Sequence, residues 1–87
     1  MTTTMWLLIA QHQGRPMLPV EEVARTYFNL SCEKFVGKVR AGTIELPLLA
    51  LDEESQKSPK FVMLTDLAEL IDKRHAKAAK LAEQMRV

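Results

Sequence analysis

This chain of 87 residues has a single cysteine, no long apolar segment and a net charge close to zero. The single cysteine, Cys32, excludes an internal disulfide and fits a reducing compartment. The longest unbroken apolar run covers residues 5–10, whereas a bilayer span needs about 20 apolar residues. The first residues lack the positive charge of a secretory signal peptide. We therefore expect one small, unprocessed cytoplasmic domain without a membrane span.

Catalytic and metal-binding motifs are also lacking. The chain has no glycine-rich phosphate loop and no nucleophile motif, and His12 and His75 have no Cys or His beside them at ligand spacing. Cys32 falls on the apolar side of a predicted helix, where a free cysteine is typically a packing residue. We therefore expect no catalytic residue, no metal, no cofactor and no small-molecule substrate. Net charge is only +1, so the positions of the charges must indicate any charged partner.

The N-terminal third predicts a strand followed by a helix. Residues 5–11 are apolar and run into the breakers of residues 12–16, which favours a strand, with a short helix as the alternative. Trp6 in this segment is expected in the core. Apolar residues then recur at helical spacing over residues 19–28, with Pro19 suited to the first turn. This pattern predicts the first of two short helices.

A second helix is predicted over residues 32–41, three residues after the first. Ser31 can cap its start, and Gly42 can end it in a left-handed conformation. On a helical wheel, one side is apolar and the opposite side carries two cations around a glycine. Such a pair of helices is typical of a helix-turn-helix, whose second helix enters the major groove. The predicted DNA-binding residues of this helix are Lys34, Gly37, Lys38, Arg40 and Ala41.

A hairpin is predicted next, from alternating apolar residues within residues 43–51 and a second short run over residues 61–64. Pro47 fits an edge strand, since it cannot donate to a ladder. The polar loop of residues 52–60 begins with three acids, which repel phosphate, so only its second half is expected to contact DNA. A plain flexible loop is the alternative. The predicted contacts are Gln56, Lys57, Ser58 and Lys60.

The last segment predicts a long helix over residues 65–86, capped by Thr65. Its apolar residues recur at alternating spacings of three and four, and an 87-residue domain can cover only the first half of this stripe. We therefore expect a homodimer, the alternative being a helix packed along its own hairpin. The basic second half can touch flanking DNA or simply keep the helix soluble. The predicted dimerisation residues are Ile71, His75, Ala78, Leu81, Ala82 and Met85.

These elements predict an α+β fold for residues 1–87: a small winged helix-turn-helix domain with an N-terminal strand, a two-stranded wing and a long C-terminal helix. Residues 18–71 resemble the DNA-binding domains of excisionases and MerR-type regulators, through PVEEVA, KVRAG and TDLAELI. A closer resemblance covers most of the chain. The segments LLIAQHQG, LPVEEVARTYF, KVRAGTIELPL and SQKSPKFVMLTDLAELID are similar to the pyocin activator protein family.

That resemblance implies a small bacterial transcription activator without catalytic activity or cofactor. Members of the family switch on bacteriocin genes by binding repeated boxes upstream of them. Such an activator is expected to bind double-stranded DNA and RNA polymerase, in addition to the second copy of the chain expected from the last helix, and to have a nucleoid-associated location. An excisionase-like factor that bends DNA is the nearest alternative function. The other alternative is a protein-interaction adaptor that never binds DNA.

Overall fold

The computed structural model describes residues 2–86 and shows a small α+β fold. Residues 2–86 form four helices and a three-stranded antiparallel sheet whose strand order is β1-β3-β2. The elements in chain order are α1 Thr3–Gln11, β1 Met17–Pro19, α2 Val20–Phe28, α3 Cys32–Arg40, β2 Leu49–Ala50, β3 Lys60–Met63 and α4 Leu64–Gln84. The predicted α+β class is therefore confirmed.

The N-terminal strand predicted over residues 5–11 is wrong, because α1 occupies this segment. The Thr2 hydroxyl caps the helix by accepting the backbone N–H of Met5 at 3.1 Å. Leu8 and His12 are buried, and together with Met5 they form one side of the helix. Trp6 lies on the other side and is 60% exposed, so its expected place in the core is also wrong.

The sheet contains one strand, β1, that the sequence pattern did not indicate. Met17–Pro19 pairs with β3 in antiparallel register, with Leu18 opposite Val62. On the other side of β3, β2 pairs over Leu49–Ala50 alone. The strand predicted over residues 43–51 is thus much shorter, and Pro47 lies outside it.

The core lies between the sheet, α1, α2, α3 and the first half of α4. Hydrogen bonds connect the first half of α4 to the N-terminal region: the Leu64 N–H donates to the Pro16 carbonyl at 2.9 Å, and the Thr4 hydroxyl donates to Asp72 at 2.5 Å. The predicted Thr65 cap is wrong, because the helix begins at Leu64 without a side-chain cap. The fully buried larger side chains are Phe35, Leu18, Leu64, Leu67, Val23 and Val62.

The second half of α4 extends beyond this core. Every side chain of residues 73–86 is exposed, whereas Leu67 and Leu70 in the first half are buried. At 1.5 Å per residue, the 21 residues of α4 are about 30 Å long, which contributes to overall dimensions of 53 × 29 × 18 Å. The apolar stripe of this half is therefore left uncovered by the rest of residues 2–86.

Candidate nucleic-acid interface

The turn between α2 and α3 positions the second helix. Asn29 ends α2 in a left-handed conformation with φ +52°, and the Leu30 N–H donates to the Ala24 carbonyl at 3.0 Å. Ser31 then caps α3, since its hydroxyl oxygen accepts the N–H of Lys34 at 3.3 Å. Both predicted helices and the short turn between them are confirmed.

The inner side of α3 packs on α2. Phe35 is fully buried, and its ring centroid lies 5.1 Å from that of Phe28 at an interplanar angle of 54°. Val36, Val39 and Cys32 are half-buried against the same core. Cys32 is therefore a packing residue at the start of the helix, as its position in the apolar pattern predicted.

The opposite side of α3 is open to solvent. Gly37 lies in its middle, and a Cβ added there would meet no heavy atom within 4 Å. The surface at this point is therefore low and unobstructed. We call this side the α3 outer face; its exposed residues are Lys34, Gly37, Lys38, Arg40 and Ala41.

The C-terminal end of α3 is held by Gly42, which has φ +82°. The Gly42 N–H donates to the Val39 carbonyl at 3.1 Å, and the Thr43 N–H donates to the Lys38 carbonyl at 3.0 Å. This pair of hydrogen bonds is the Schellman arrangement, in which glycine accepts the left-handed conformation at low cost. The helix therefore ends where the sequence predicted.

The cations of the α3 outer face have no acidic partner among residues 2–86. The ion pairs in this part of the chain join Glu22 to Arg15 and Glu45 to Lys73, and His12 Nδ1 lies 3.6 Å from the Glu22 carboxylate. Lys34, Lys38 and Arg40 therefore present uncompensated positive charge, which attracts an anionic partner.

The β2–β3 hairpin carries the second group of predicted contacts. Its loop is stabilised by short-range hydrogen bonds, in which Asp52 accepts the N–H of Glu54 at 3.1 Å and Ser55 accepts the N–H of Ser58 at 3.2 Å. Gln56 and Lys57 are exposed, and Ser58 is half-buried. Lys60 is half-buried in the first position of β3 rather than in the loop.

The two groups of cations lie on separate elements. The α2 helix packs against both α3 and β3, so it connects the α3 outer face to the hairpin. The predicted dimerisation residues lie apart from both groups on α4. Ile71 is half-buried, and the others are exposed: His75, Ala78, Leu81, Ala82 and Met85.

A polar cluster that sequence reasoning missed joins α1 to α2. His12 is buried, with its Nε2 atom 2.6 Å from the Tyr27 hydroxyl and its Nδ1 atom 3.6 Å from Glu22. Arg15 forms two hydrogen bonds to the same carboxylate, at 3.1 and 3.2 Å. Burial, followed by the nearby charge of Glu22, raises the pKa of Tyr27. These contacts depend on α1 being a helix. They could not be predicted from the sequence, because the segment was assigned to a strand.

Among residues 2–86, no group of three His, Cys, Asp or Glu side chains is placed to hold a metal ion. In the same residues, no helix is both long and apolar enough to cross a bilayer.

A match to a protein-family model shows to which family the chain belongs. Residues 4–78 match the family described as pyocin activator protein PrtN, which covers the sheet, α1, α2, α3 and more than half of α4. The chain belongs to the pyocin activator protein family. Its resemblance to that family in the sequence is thereby confirmed, and membership points to a transcription activator of pyocin genes. The chain matches no curated protein and no solved structure.

Proposed function

We propose that this pyocin activator family member is a sequence-specific DNA-binding transcription activator of pyocin-like bacteriocin or prophage genes. The observation that carries the proposal is the α3 outer face, an exposed row of unpaired cations on a helix set three residues after another. Family membership supplies the target class. The α2–turn–α3 unit then acts as a helix-turn-helix, and the β2–β3 hairpin acts as its wing.

In this mechanism, α3 lies in the major groove of double-stranded DNA. Lys34, Lys38 and Arg40 reach base edges or phosphates, while Gly37 and Ala41 let the helix backbone approach closely. Phe35 fixes the angle of the helix, since it is fully buried on the opposite side. The positioning of α3 thus depends on the core rather than on the DNA.

The wing supplies contacts to the sugar-phosphate backbone. Lys57 is exposed and unpaired within residues 2–86, so it is the strongest phosphate contact of the loop. Gln56, Ser58 and Lys60 add hydrogen-bond donors from the same half. Asp52 lies at the other end, where its carboxylate accepts a backbone N–H within the loop.

Two copies of the chain bind two half-sites and recruit RNA polymerase to the promoter. A closed dimer is the commonest soluble oligomer, and it doubles the DNA surface that this small domain can contact. The exposed stripe on α4 provides the contact surface between the copies.

Nuclease protection and a transcription reporter test the proposal together. The purified protein should protect boxes upstream of pyocin genes and activate a reporter carrying them. A Lys34→Ala, Lys38→Ala double variant should lose both effects. Arg15→Gln is the control for a lost positive charge, because Arg15 already pairs with Glu22.

Three results contradict the proposal. Absence of protection by the wild-type protein at low salt would favour an adaptor that binds another protein. Protection with strong DNA bending and without transcription would favour an excisionase-like architectural factor. Equal loss of binding in Arg15→Gln and the double variant would remove the α3 outer face from the interface.

A further inference from the structure

A shallow apolar groove lies between the C-terminal end of α2 and the first half of α4. Its walls are Tyr27 and Phe28 on one side and Leu67, Leu70 and Ile71 on the other. Arg74 lies at the end of the groove that is nearer the C-terminus of α4. The Arg74 guanidinium is turned away towards its own chain, since it donates to the Thr43 carbonyl at 3.2 Å.

The groove continues directly into the exposed stripe of α4. At 3.6 residues per turn, Leu67, Ile71 and Arg74 fall on one line along the helix, and Ala78, Leu81 and Met85 extend the same line. Leu81 is 58% exposed and Met85 is 78% exposed. An apolar surface therefore begins in the groove, is interrupted at Arg74 and resumes from Ala78 to the tip of the helix.

This surface complements itself when two copies of α4 run antiparallel. If Ala78 of one copy lies level with Arg74 of the other, Leu81 lies level with the half-buried Ile71, and Met85 lies level with Leu67, which is buried at the base of the groove. The large exposed side chains of each tip then meet the groove of the other copy. The small Ala78 side chain faces the position at which Arg74 is already turned aside.

The charges on α4 also select the antiparallel direction. Residues 64–72 carry the acids Asp66, Glu69 and Asp72 and no Lys or Arg, whereas residues 73–86 carry five Lys and Arg against Glu83. In this register, residues 80–86 of each copy, with Lys80 and Arg86, lie level with residues 66–72 of the other, with Asp66 and Asp72, and the basic stretches overlap only over residues 73–79. A parallel pair places the two basic halves side by side, which is unfavourable.

From these relationships we infer that the occupant of the groove is a second copy of this chain. Two copies pair through antiparallel α4 helices, and Leu81 and Met85 of each copy insert between α2 and α4 of the other. The interface is isologous, as twofold symmetry requires. The inference deepens the homodimer of the proposed function, and it specifies which surfaces meet.

Contacts of the Met85 methyl group test the inference most directly. Met85 lies fifteen residues beyond Leu70, about 22 Å along the helix, so it cannot reach the groove of its own chain. Isotope-filtered nuclear Overhauser spectra of a mixed labelled and unlabelled dimer should show Met85 methyl contacts with the Tyr27 and Phe28 rings. Contacts between the two Met85 methyl groups instead would mean a parallel pair and would overturn the inference.

Sedimentation of single variants provides the second test, performed without DNA. Leu81→Glu should raise the dissociation constant of the dimer at least tenfold. Leu7→Glu is the matched control, because Leu7 on α1 is 65% exposed and lies outside the groove and stripe. A wild-type protein that remains monomeric, or a Leu81→Glu variant that dimerises as the wild type does, would overturn the inference. Measuring DNA binding of the same variants separately shows whether the proposed function fails independently.

Discussion

The hydroxyl oxygen of Ser31 accepts a hydrogen bond from the backbone N–H of Lys34, over 3.3 Å. The N-cap of α3 is thereby hydrogen-bonded to the backbone of Lys34, the first cation of the α3 outer face. Loss of this cap leaves one more N–H unsatisfied at the helix start. The cap thus connects the stability of the helix to the placement of its candidate DNA contacts.

Ser31→Ala should lower the free energy of unfolding by about 1 kcal/mol, the usual contribution of an N-cap side chain. Urea denaturation followed by circular dichroism measures the change. Ser31→Asp is the matched control and should retain wild-type stability, because its carboxylate can accept the same N–H. An unchanged urea midpoint for Ser31→Ala would show that the cap contributes nothing.

Gly37→Leu should separate folding from DNA binding. A side chain at this position meets no neighbouring atom at its Cβ, and leucine is a better helix former than glycine by about 0.5–1 kcal/mol. The free energy of unfolding should therefore rise slightly. DNA affinity should fall at least tenfold, because the added bulk prevents close approach of α3 to the major groove.

Gly37→Ala is the control for the added bulk. Alanine also raises the helix propensity above that of glycine, but it adds only a single methyl group. Fluorescence anisotropy with labelled DNA measures both affinities. If Gly37→Leu binds DNA as tightly as the wild type, α3 does not enter the groove through this face.

Lys57→Ala should weaken binding to all DNA sequences by similar factors. The slope of log affinity against log salt should decrease by about 1, as expected when one phosphate contact is removed. Binding isotherms at several salt concentrations, for a selected box and for unrelated DNA, provide the measurement. An unchanged slope would remove Lys57 from the interface, and a loss confined to the selected box would assign it a role in base recognition.

The chain has one tyrosine, so the ionisation of Tyr27 can be followed by ultraviolet absorbance. Its pKa should lie above the ordinary value of about 10, because burial and then Glu22 disfavour the phenolate. The folded state then holds this proton more tightly than the unfolded state. Protonated Tyr27 therefore contributes to the free energy of unfolding below about pH 10, and this contribution is lost as the pH rises through the folded pKa.

Tyr27→Phe removes this contribution, so its urea midpoint should fall less steeply than that of the wild type above about pH 10. The comparison between the two proteins cancels the effects of lysine and cysteine ionisation. A folded-state pKa for Tyr27 at or below about 10 would contradict the buried environment found between α1 and α2.

The best-predicted part of the fold is the α2–turn–α3 unit, because local signals determine it. Ser31 marks the start of α3, Gly42 marks its end, and the apolar side around Phe35 matches one side of a helix. Residues on opposite sides of a single helix can be assigned from the sequence alone. The exposed positions of Lys34 and Lys38 therefore follow from local pattern.

The N-terminal region was mispredicted because both sides of α1 are apolar. Leu8 and His12 lie on the buried side, but the exposed Trp6 and Leu7 obscure the helical period. Short apolar runs do not distinguish a strand from a helix by pattern alone. The nearby Thr2 cap was the local signal that favoured the helix.

The sheet and the groove depend on contacts between distant parts of the chain. Strand β1 has only three residues, and its pairing with β3 joins segments more than forty residues apart. The groove requires the packing of Phe28 near Leu70, which no local spacing indicates. The sequence could therefore predict the stripe on α4 without identifying the surface that it meets.

Recognition of a specific DNA sequence is the basis of the function proposed for this protein. The most direct measurement is selection of bound fragments from random-sequence DNA at two salt concentrations, followed by sequencing of the retained fragments. We expect one enriched repeated motif, with an affinity that falls steeply as salt rises. Retention of no DNA at low salt, or retention without any enriched motif, would contradict the proposed function.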